Sequence, residues 1–233
     1  MSSAVAPGQT LFITGTDTDA GKTYVASALL RRLRGDGLKV CGYKPMASGC
    51  VETPEGLRSE DALALIAASG SSAPYQDINP YAYAPAIAPH LAAAGQGERI
   101  DPERLRAAHA RLAASHQGVV AEGAGGWLTP LGPDLLLGDW VAALGWPVLL
   151  VVELKLGCLN HALLSAEAIR GRTRLAGWVA NLRDPSMPWL QGNLDTLESH
   201  LGAPLWVQRS GGEAPPSLWP RLFPALEAKP SLL

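Results

Sequence analysis

The sequence predicts an α/β fold with a doubly wound, mostly parallel sheet. Short β-rich runs alternate with longer stretches of helical apolar spacing, which is the pattern of βαβ units. Two of the runs are almost continuous in apolar residues, as expected of central strands buried on both faces. Hydrophobic residues make up 47% of the 233 residues, enough for a substantial core. The Gly/Pro-rich stretches 69–89 and 208–220 are interpreted as surface connections, so we expect residues 1–233 to form a single domain.

The first elements follow one another closely. A strand is expected at 10–14, and apolar residues at helical spacing from Val25 to Leu33 predict a helix that stops at Gly35. A second strand is expected at 38–43.

Two later helix starts carry capping residues. Ser59 is expected to cap a helix that runs through Ile66. Asp101 and Pro102 combine an N-cap with a proline at the first helical position, which predicts another helix. The remaining expected elements are strands at 119–122, 148–152, 176–180 and 205–208 and helices at 160–170 and 219–227.

Composition and charge exclude several partners. With 19 basic and 21 acidic residues the formal net charge is −2, whereas a nucleic-acid-binding domain carries a basic excess. The longest apolar run, 141–152, contains Gly and Pro and is too short to cross a bilayer. The three cysteines form no CxxC pair, and residues 1–9 lack the pattern of a signal peptide. We therefore expect a cytoplasmic protein with no nucleic acid and no membrane as partner.

The sharpest motif is the segment 15–23, GTDTDAGKT, which follows the first strand and opens the first helix. That position is typical of a P-loop, whose backbone N–H groups and helix dipole bind phosphate. Gly21 allows close approach of the backbone, Lys22 would reach the β- and γ-phosphates, and the Thr23 hydroxyl would ligate Mg²⁺. The first glycine lies one residue earlier than in the regular G-x4-GK[ST] spacing. The segment predicts a P-loop NTPase-like fold that binds a nucleotide.

Two acids stand where Mg²⁺ ligands are expected. Glu122 ends a buried β-run, so its carboxylate should point into the ligand crevice at the carboxyl end of the sheet. Asp61 lies in the first turn of a helix, where it would alternatively interact only with the helix dipole. P-loop proteins hold Mg²⁺ through the loop hydroxyl and such carboxylates.

Lysine is scarce, with 5 residues against 14 arginines, so each lysine position is informative. Lys44 follows the second strand and Lys155 follows the run 148–152, which places both at the same sheet edge as Lys22. Three lysines at one edge would form a focused cationic site for phosphate and carboxylate groups. The alternative is that these lysines are there because strand ends are exposed.

A series of short motifs keeps a common order and spacing along the chain. They are GTDTDAGKT (15–23), GYKPMASG (42–49), TPEGLR (53–58), EDALAL (60–65), NPY (79–81), PH (89–90), EGAGGW (122–127), KLGCLNH (155–161) and GWVAN (177–181). Together they resemble the dethiobiotin synthetase family, over most of the chain up to Asn181. Agreement at so many separate motifs makes the resemblance specific.

The resemblance implies a ligase of biotin biosynthesis that makes dethiobiotin from 7,8-diaminopelargonic acid, CO2 or bicarbonate, and ATP with Mg²⁺. One amine takes up CO2 as a carbamate, and ATP phosphorylates the carbamate to a carbamic–phosphoric anhydride. The second amine then closes a cyclic urea and phosphate leaves. Such chemistry depends on positioning and charge neutralisation more than on acid–base side chains. A homodimer is also implied.

The resemblance further implies roles for residues around the nucleotide. Lys22 would act on the transferred γ-phosphoryl group, Lys44 on the carbamate, and Thr18 would bind at the same loop as a third catalytic residue. The implied Mg²⁺ ligands are Thr23, Asp61 and Glu122. The residues expected to bind ATP are Asp19, Ala20, Gly21, Lys22, Thr23, Tyr24, Asp61, Glu122, Gly123, Ala124, Gly125 and Asn181. The amide of Asn181 suits the N6/N7 edge of adenine.

Two segments are implied to bind the other substrate. Ser48 would contact the diamine or its carbamate. The segment 155–160 would hold the tail carboxylate at a helix N-terminus, with Asn160 of the partner subunit completing the site. The residues expected there are Lys155, Gly157, Cys158, Leu159 and Asn160.

Several positions depart from the family pattern. Met46 and Cys50 stand where smaller residues such as Val and Ser are expected, and Glu153 adds a negative charge beside Lys155 where a small residue is usual. The segment 208–212, QRSGG, replaces an Ile/Val-Pro pattern that packs on the nucleotide base. A preference for ATP over other triphosphates therefore does not follow from the sequence.

Two other functions use the same fold. A switch ATPase of the partition or septum-positioning type would use ATP to gate dimerisation on DNA or membrane. Such proteins carry an additional lysine early in the P-loop, where this chain has Thr16 and Asp17. An amidotransferase-linked synthetase of corrinoid biosynthesis would need a glutaminase domain, for which 233 residues leave no room. ATP turnover that ignores the diamine but responds to DNA or lipid would favour the switch ATPase.

Overall fold

A computed structural model describes residues 8–209, 211–215, 218 and 222–223. Its helices are α1 Lys22–Gly35, α2 Glu60–Ser69, α3 Tyr75–Ile78, α4 Pro89–Gly95, α5 Pro102–Ser115, α6 Leu137–Ala143, α7 Cys158–Arg170 and α8 Leu190–Leu201. Its strands are β1 Gln9–Gly15, β2 Val40–Tyr43, β3 Met46–Ala47, β4 Val51–Thr53, β5 Gly56–Arg58, β6 Tyr81–Ala82, β7 Gly118–Gly126, β8 Val148–Glu153, β9 Leu175–Leu182 and β10 Trp206–Arg209. In these residues no helix combines the length and apolar character needed to cross a membrane.

A six-stranded sheet forms the centre of the molecule, with strand order β10-β9-β8-β1-β7-β2. Every neighbouring pair in it is parallel. From β1 the chain crosses to β2 at one edge, and after β7 it proceeds through β8 and β9 to β10 at the other edge. The strand order therefore reverses at β1, which is where open α/β sheets bind ligands. The predicted doubly wound parallel sheet is confirmed.

Alternate residues of the central strands pack into two separate cores. Leu11 and Ile13 of β1 pack with Leu29 and Leu33 of α1. Phe12, between them, packs in a second core together with residues of α5, α6 and α7. Because both faces are covered, β8 reads VLLVV without a polar interruption.

Both predicted helix caps are present. Ser59 Oγ accepts a hydrogen bond from Ala62 N at 3.3 Å, and Asp101 Oδ1 accepts one from Glu103 N at 2.9 Å. These caps fix where α2 and α5 begin, and α2 carries Asp61 in its first turn.

The structure of the segment 69–89 differs from the sequence prediction. Its glycine and proline content predicts a surface connection, and that prediction is wrong for residues 75–83. They form α3 and β6, β6 pairs with β3, and Ile78 and Tyr83 are buried. The expected helix at 219–227 lies outside the described residues except for Leu222 and Phe223.

Candidate active site

A cavity of about 990 Å³ opens at the carboxyl ends of the central strands. The sequence-predicted residues that line it are Thr18, Asp19, Gly21, Lys22, Thr23, Tyr24, Lys44, Ser48, Asp61, Glu122, Ala124, Gly125 and Asn181. They come from segments far apart in the chain. The parallel sheet brings them together because all of its strands end at the same edge.

The phosphate loop between β1 and α1 is held in a conformation that suits glycine. Gly21 has a φ of 90°, and a Cβ built there would lie 2.0 Å from Asn181 Nδ2. Only glycine fits at this position without displacing Asn181. The side chain of Lys22 folds back over the loop, and its Nζ donates to the Asp17 carbonyl at 2.9 Å. The loop ends at the N-terminus of α1, where N–H groups and the helix dipole favour an anion.

Thr23, Lys44, Asp61 and Glu122 form one cluster in the cavity wall, which we call the carboxylate cluster. The Thr23 hydroxyl lies 2.7 Å from Asp61 Oδ1 and 2.8 Å from Glu122 Oε1. Lys44 Nζ lies 2.6 Å from Asp61 Oδ2 and 2.7 Å from Glu122 Oε1. Lys44 is 3% exposed and Glu122 has no exposed surface. Each of these two buried charges therefore depends on the other for stabilisation.

The two lysines of the cavity have pKa shifts in opposite directions. Burial lowers the pKa of Lys22, and the positive charge of Lys44 lowers it further. Burial acts to lower the pKa of Lys44 as well, but the charges of Glu122 and Asp61 outweigh it and raise that pKa. Lys44 is thus held as a cation, whereas Lys22 loses its proton more readily than an ordinary lysine.

The oxygen atoms of the carboxylate cluster suit a hard divalent cation. Mg²⁺ in nucleotide sites is bound by one or two carboxylates together with substrate phosphates. Glu122 Oε2 is buried and has no hydrogen-bond partner among the described residues. Such an orphaned acceptor is where a cation would bind. Among the residues that the structure describes, no group of three or more His, Cys, Asp or Glu side chains could hold a metal ion by itself. Phosphate oxygens of the nucleotide would therefore have to complete the coordination of Mg²⁺.

The loop that carries Lys44 is anchored by Asn79, whose contribution the sequence did not reveal. Asn79 Nδ2 donates to the carbonyls of Lys44 at 2.8 Å and Tyr81 at 3.0 Å. Lys44 N donates to the Ile78 carbonyl at 2.7 Å. The NPY motif therefore fixes the backbone of Lys44. Farther along this loop, the buried Ser48 hydroxyl lies in the cavity wall with no partner among the described residues.

The segment 155–160, which we call the tail segment, lies outside this cavity. The predicted residues that do not line the cavity are Ala20, Gly123, Lys155, Gly157, Cys158, Leu159 and Asn160. Lys155 Nζ pairs with Glu153 Oε2 at 2.7 Å, and Leu156 is fully exposed. Lys155 is therefore at the same sheet edge as Lys22 and Lys44 but does not share their cavity.

The cavity wall also contains residues that sequence reasoning missed. They are Ala47, Ala86, Ile87, Ala88, Pro89, Gly126, Thr129, Pro130, Leu182 and Arg183. Arg183 is the charged residue among them. It follows Asn181 by two positions and lies one residue past the end of β9. That spacing was the available signal.

Gln208, in β10, makes hydrogen bonds that hold the loop after this strand. Gln208 has no exposed surface, and its Nε2 donates to the carbonyls of Arg209 and Gly212, both at 2.9 Å. The Tyr24 hydroxyl of α1 donates to the Arg209 carbonyl at 3.1 Å. The described residues of 208–212 are therefore held by hydrogen bonds among themselves, and none of them lines the cavity.

Comparison with known proteins gives one consistent result. Residues 9–206 match the family model described as an AAA domain. Over 206 residues the chain is 53% identical to the ATP-dependent dethiobiotin synthetase of Chromohalobacter salexigens, covering 84% of this chain and 86% of that protein. It is 48% identical to the protein of the same name from Aeromonas hydrophila, covering 84% and 88%. It is 50% identical to that of Pseudomonas paraeruginosa, covering 83% and 86%.

One solved structure bears on the fold. The ParA family ATPase from Chlorobium tepidum superposes with a TM-score of 0.51 at 16% identity, covering 87% of this chain and 83% of that one. Likeness at this identity shows the P-loop NTPase-like fold alone.

Proposed function

Because this chain belongs to the ATP-dependent dethiobiotin synthetases, it is a ligase that forms dethiobiotin in biotin biosynthesis, and we propose how its residues divide that reaction. The observation that carries the proposal is the position of the carboxylate cluster beside the phosphate loop. A triphosphate on the loop would bring its reacting end next to Lys22 and Lys44, the two buried cations of the cavity. Charge neutralisation at that point is what phosphoryl transfer requires.

Lys22 stabilises the transferred γ-phosphoryl group, with Thr18 beside it in the same loop. Its ammonium already has a carbonyl acceptor at Asp17, and a phosphate oxygen is a stronger, charged acceptor. The phosphate also raises the lowered pKa of Lys22, since a nearby negative charge favours the protonated form. ATP binding and Lys22 protonation therefore support each other.

Thr23, Asp61 and Glu122 hold Mg²⁺, which when bound neutralises phosphate charge. Lys44 and Thr23 both contact Glu122 Oε1, which leaves the partnerless Oε2 for the metal. The base of the nucleotide lies toward Asn181. Asn181 Nδ2 donates one hydrogen bond to the Ala20 carbonyl at 2.8 Å. The second N–H and the oxygen of the Asn181 side-chain amide are left for adenine.

Lys44 holds the carbamate, and Ser48 contacts the diamine or carbamate. The raised pKa of Lys44 keeps it charged, so it stabilises negative charge and does not act as a base. The buried Ser48 hydroxyl has no competing partner among the described residues. With the carbamate fixed between them, ring closure depends on placing the second amine next to the carbonyl.

The tail segment binds the far carboxylate of the substrate and is completed by a second copy of the chain. Lys155 and the N–H groups that open the 13-residue helix α7 supply positive charge. The exposed apolar residues Leu156 and Leu164 support a homodimer, because a partner would cover them. The three cysteines are free, which supports a cytoplasmic location.

The test is ATP consumption by the purified protein with each substrate left out in turn. We expect turnover only when diaminopelargonate and bicarbonate are both present, with a cyclic urea detected by mass spectrometry. Repeating the assay with GTP and CTP measures the nucleotide preference. Turnover that ignores the diamine and rises with DNA or lipid vesicles would contradict the proposed roles.

A further inference from the structure

Glu153, at the end of β8, holds two cations from different parts of the chain. Its Oε2 lies 2.7 Å from Lys155 Nζ, and its Oε1 lies 3.5 Å from Arg183 Nη1. The Glu153 side chain is 13% exposed, whereas those of Lys155 and Arg183 are 45% and 58% exposed. The hydrogen bond from Lys155 to Glu153 is the main cause of a raised Lys155 pKa. The Glu153 carboxylate is thus shared by the ammonium group of Lys155 and the guanidinium group of Arg183.

Arg183 also reaches the phosphate loop. Its Nη1 donates to the Asp19 carbonyl at 3.0 Å, and Asn181 Nδ2 donates to the next carbonyl, that of Ala20. Asp19 has a φ of 51°, a left-handed conformation that residues other than glycine seldom adopt. Since a peptide group is planar, fixing the Asp19 carbonyl also fixes the direction of the Ala20 N–H. Asn181, near the end of β9, and Arg183, just after it, therefore orient successive peptides of the loop.

We propose that Arg183 is a positioning residue for the phosphate loop, and that Glu153 anchors Arg183 there while tempering the charge of Lys155. The inference rests on the function proposed above, in which the loop binds ATP and Lys155 binds the substrate tail. An exposed ion pair alone would contribute little. Arg183 has a role beyond its ion pair with Glu153 because it also donates to the Asp19 carbonyl of the phosphate loop.

The first experiment compares Arg183→Gln with a matched control. Arg172→Gln removes another partly exposed arginine, which pairs with Asp139 at 2.8 Å and does not line the cavity. We expect R183Q to raise the Kd for Mg·ADP and the KM for ATP by about three- to tenfold, the usual effect of one lost charge-assisted contact, with kcat changed less than twofold. R172Q should match the wild type. Arg183→Lys keeps a cation and should restore much of the affinity.

The second experiment uses Glu153→Gln, which removes the negative charge and keeps the shape. Loss of the anchor should raise the KM for ATP by about twofold to fivefold, whereas the uncovered charge of Lys155 should lower the KM for the diamine by about twofold. A merely structural defect would raise both values, so the opposite directions are diagnostic.

The outcomes separate this inference from the proposed function. If R183Q and R172Q behave alike, or if E153Q raises both KM values, Arg183 and Glu153 do not have the roles assigned here, even with an active ligase. If the wild-type protein does not bind Mg·ADP or turns over ATP without the diamine, the residue roles proposed above fail first. Melting curves of each variant confirm that the comparison is made between folded proteins.

Discussion

The nucleotide half of the site and the tail segment are built in opposite ways. Lys22 and Lys44 are 7% and 3% exposed and face one cavity with the carboxylate cluster. Lys155 is 45% exposed and contacts Glu153, and Leu156 beside it is fully exposed. The nucleotide half is enclosed by one chain, whereas the tail segment presents its groups outward. This difference agrees with the proposal that the nucleotide half is completed within one chain and the tail segment by a second copy.

The pKa shifts of the lysines in the two halves have different causes. Burial lowers the pKa of Lys22, while the hydrogen bond that Lys155 donates to Glu153 raises the pKa of the solvent-facing Lys155. Desolvation outweighs the nearby charges at Lys22, whereas the charges of Glu122 and Asp61 outweigh desolvation at Lys44. In the tail segment the local partner Glu153 dominates.

The largest effect is expected from Lys44→Gln. Lys44 is proposed to stabilise the carbamate, so kcat should fall by at least about 100-fold, as when a charge-stabilising group is removed from an active site. The Kd for Mg·ADP should stay within about threefold of the wild type, since the loop still binds the phosphates. Turnover assays and isothermal titration measure the two effects.

The control for Lys44 is Lys39→Gln, which removes a solvent-exposed lysine to which no role is assigned. It should have wild-type turnover and affinity. Loss of nucleotide binding in a K44Q protein that melts normally would place Lys44 on the nucleotide and not on the carbamate.

Gly21→Ala tests the close packing of the nucleotide half. Its Cβ would lie 2.0 Å from Asn181 Nδ2, so Asn181 must move and the Ala20 carbonyl loses its donor. We expect the affinity for Mg·ADP to fall at least about tenfold, the effect of roughly 1.4 kcal/mol. Gly97→Ala is the matched control, because Gly97 also has positive φ but has no atom within 4 Å of the added Cβ. Equal nucleotide affinities in the two variants would show that the packing against Asn181 has no role.

Lys155→Gln should act on the tail segment alone. Loss of its charge is expected to raise the KM for the diamine by about fivefold to tenfold, in line with one charged contact. The Kd for Mg·ADP should change by less than about twofold. A weakened nucleotide affinity without any change in the diamine KM would reverse the assignment of the two halves.

The effect of pH is confined to alkaline solution. Lys22 must be protonated to bind phosphate, and its lowered pKa means that it loses the proton at a lower pH than an ordinary lysine. Above that pKa, binding requires proton uptake, so the Kd for Mg·ADP should rise by up to about tenfold per pH unit. The charge of Lys155 persists to higher pH because its pKa is raised. Calorimetry in two buffers of different ionisation enthalpy measures the uptake, and uptake that begins only at the pH where an ordinary lysine titrates would contradict the lowered Lys22 pKa.

The sequence predicted residues of the phosphate loop and of strand ends, and it missed two contacts that anchor them across the fold. The strand, loop and helix around Lys22 are contiguous, so their role could be predicted. Glu122 stood out as a charge next to a buried apolar run. Asn79 anchors Lys44 across 35 positions, and Arg183 reaches Asp19 across 164. No local pattern encodes either contact, and the glycines and prolines near Asn79 favoured a surface loop instead.

Mixing two inactive variants tests most directly whether the tail segment is completed by a second chain. Lys44→Gln removes the proposed carbamate stabilisation, and Asn160→Ala removes the side chain proposed to come from the partner. In a mixed dimer one site receives both defects and the other receives none. After unfolding and refolding an equal mixture, we predict recovery of about a quarter of wild-type turnover at low diamine concentration. No recovery above the two separate variants, despite mixed dimers seen by native mass spectrometry, would mean that Lys44 and Asn160 act within one chain.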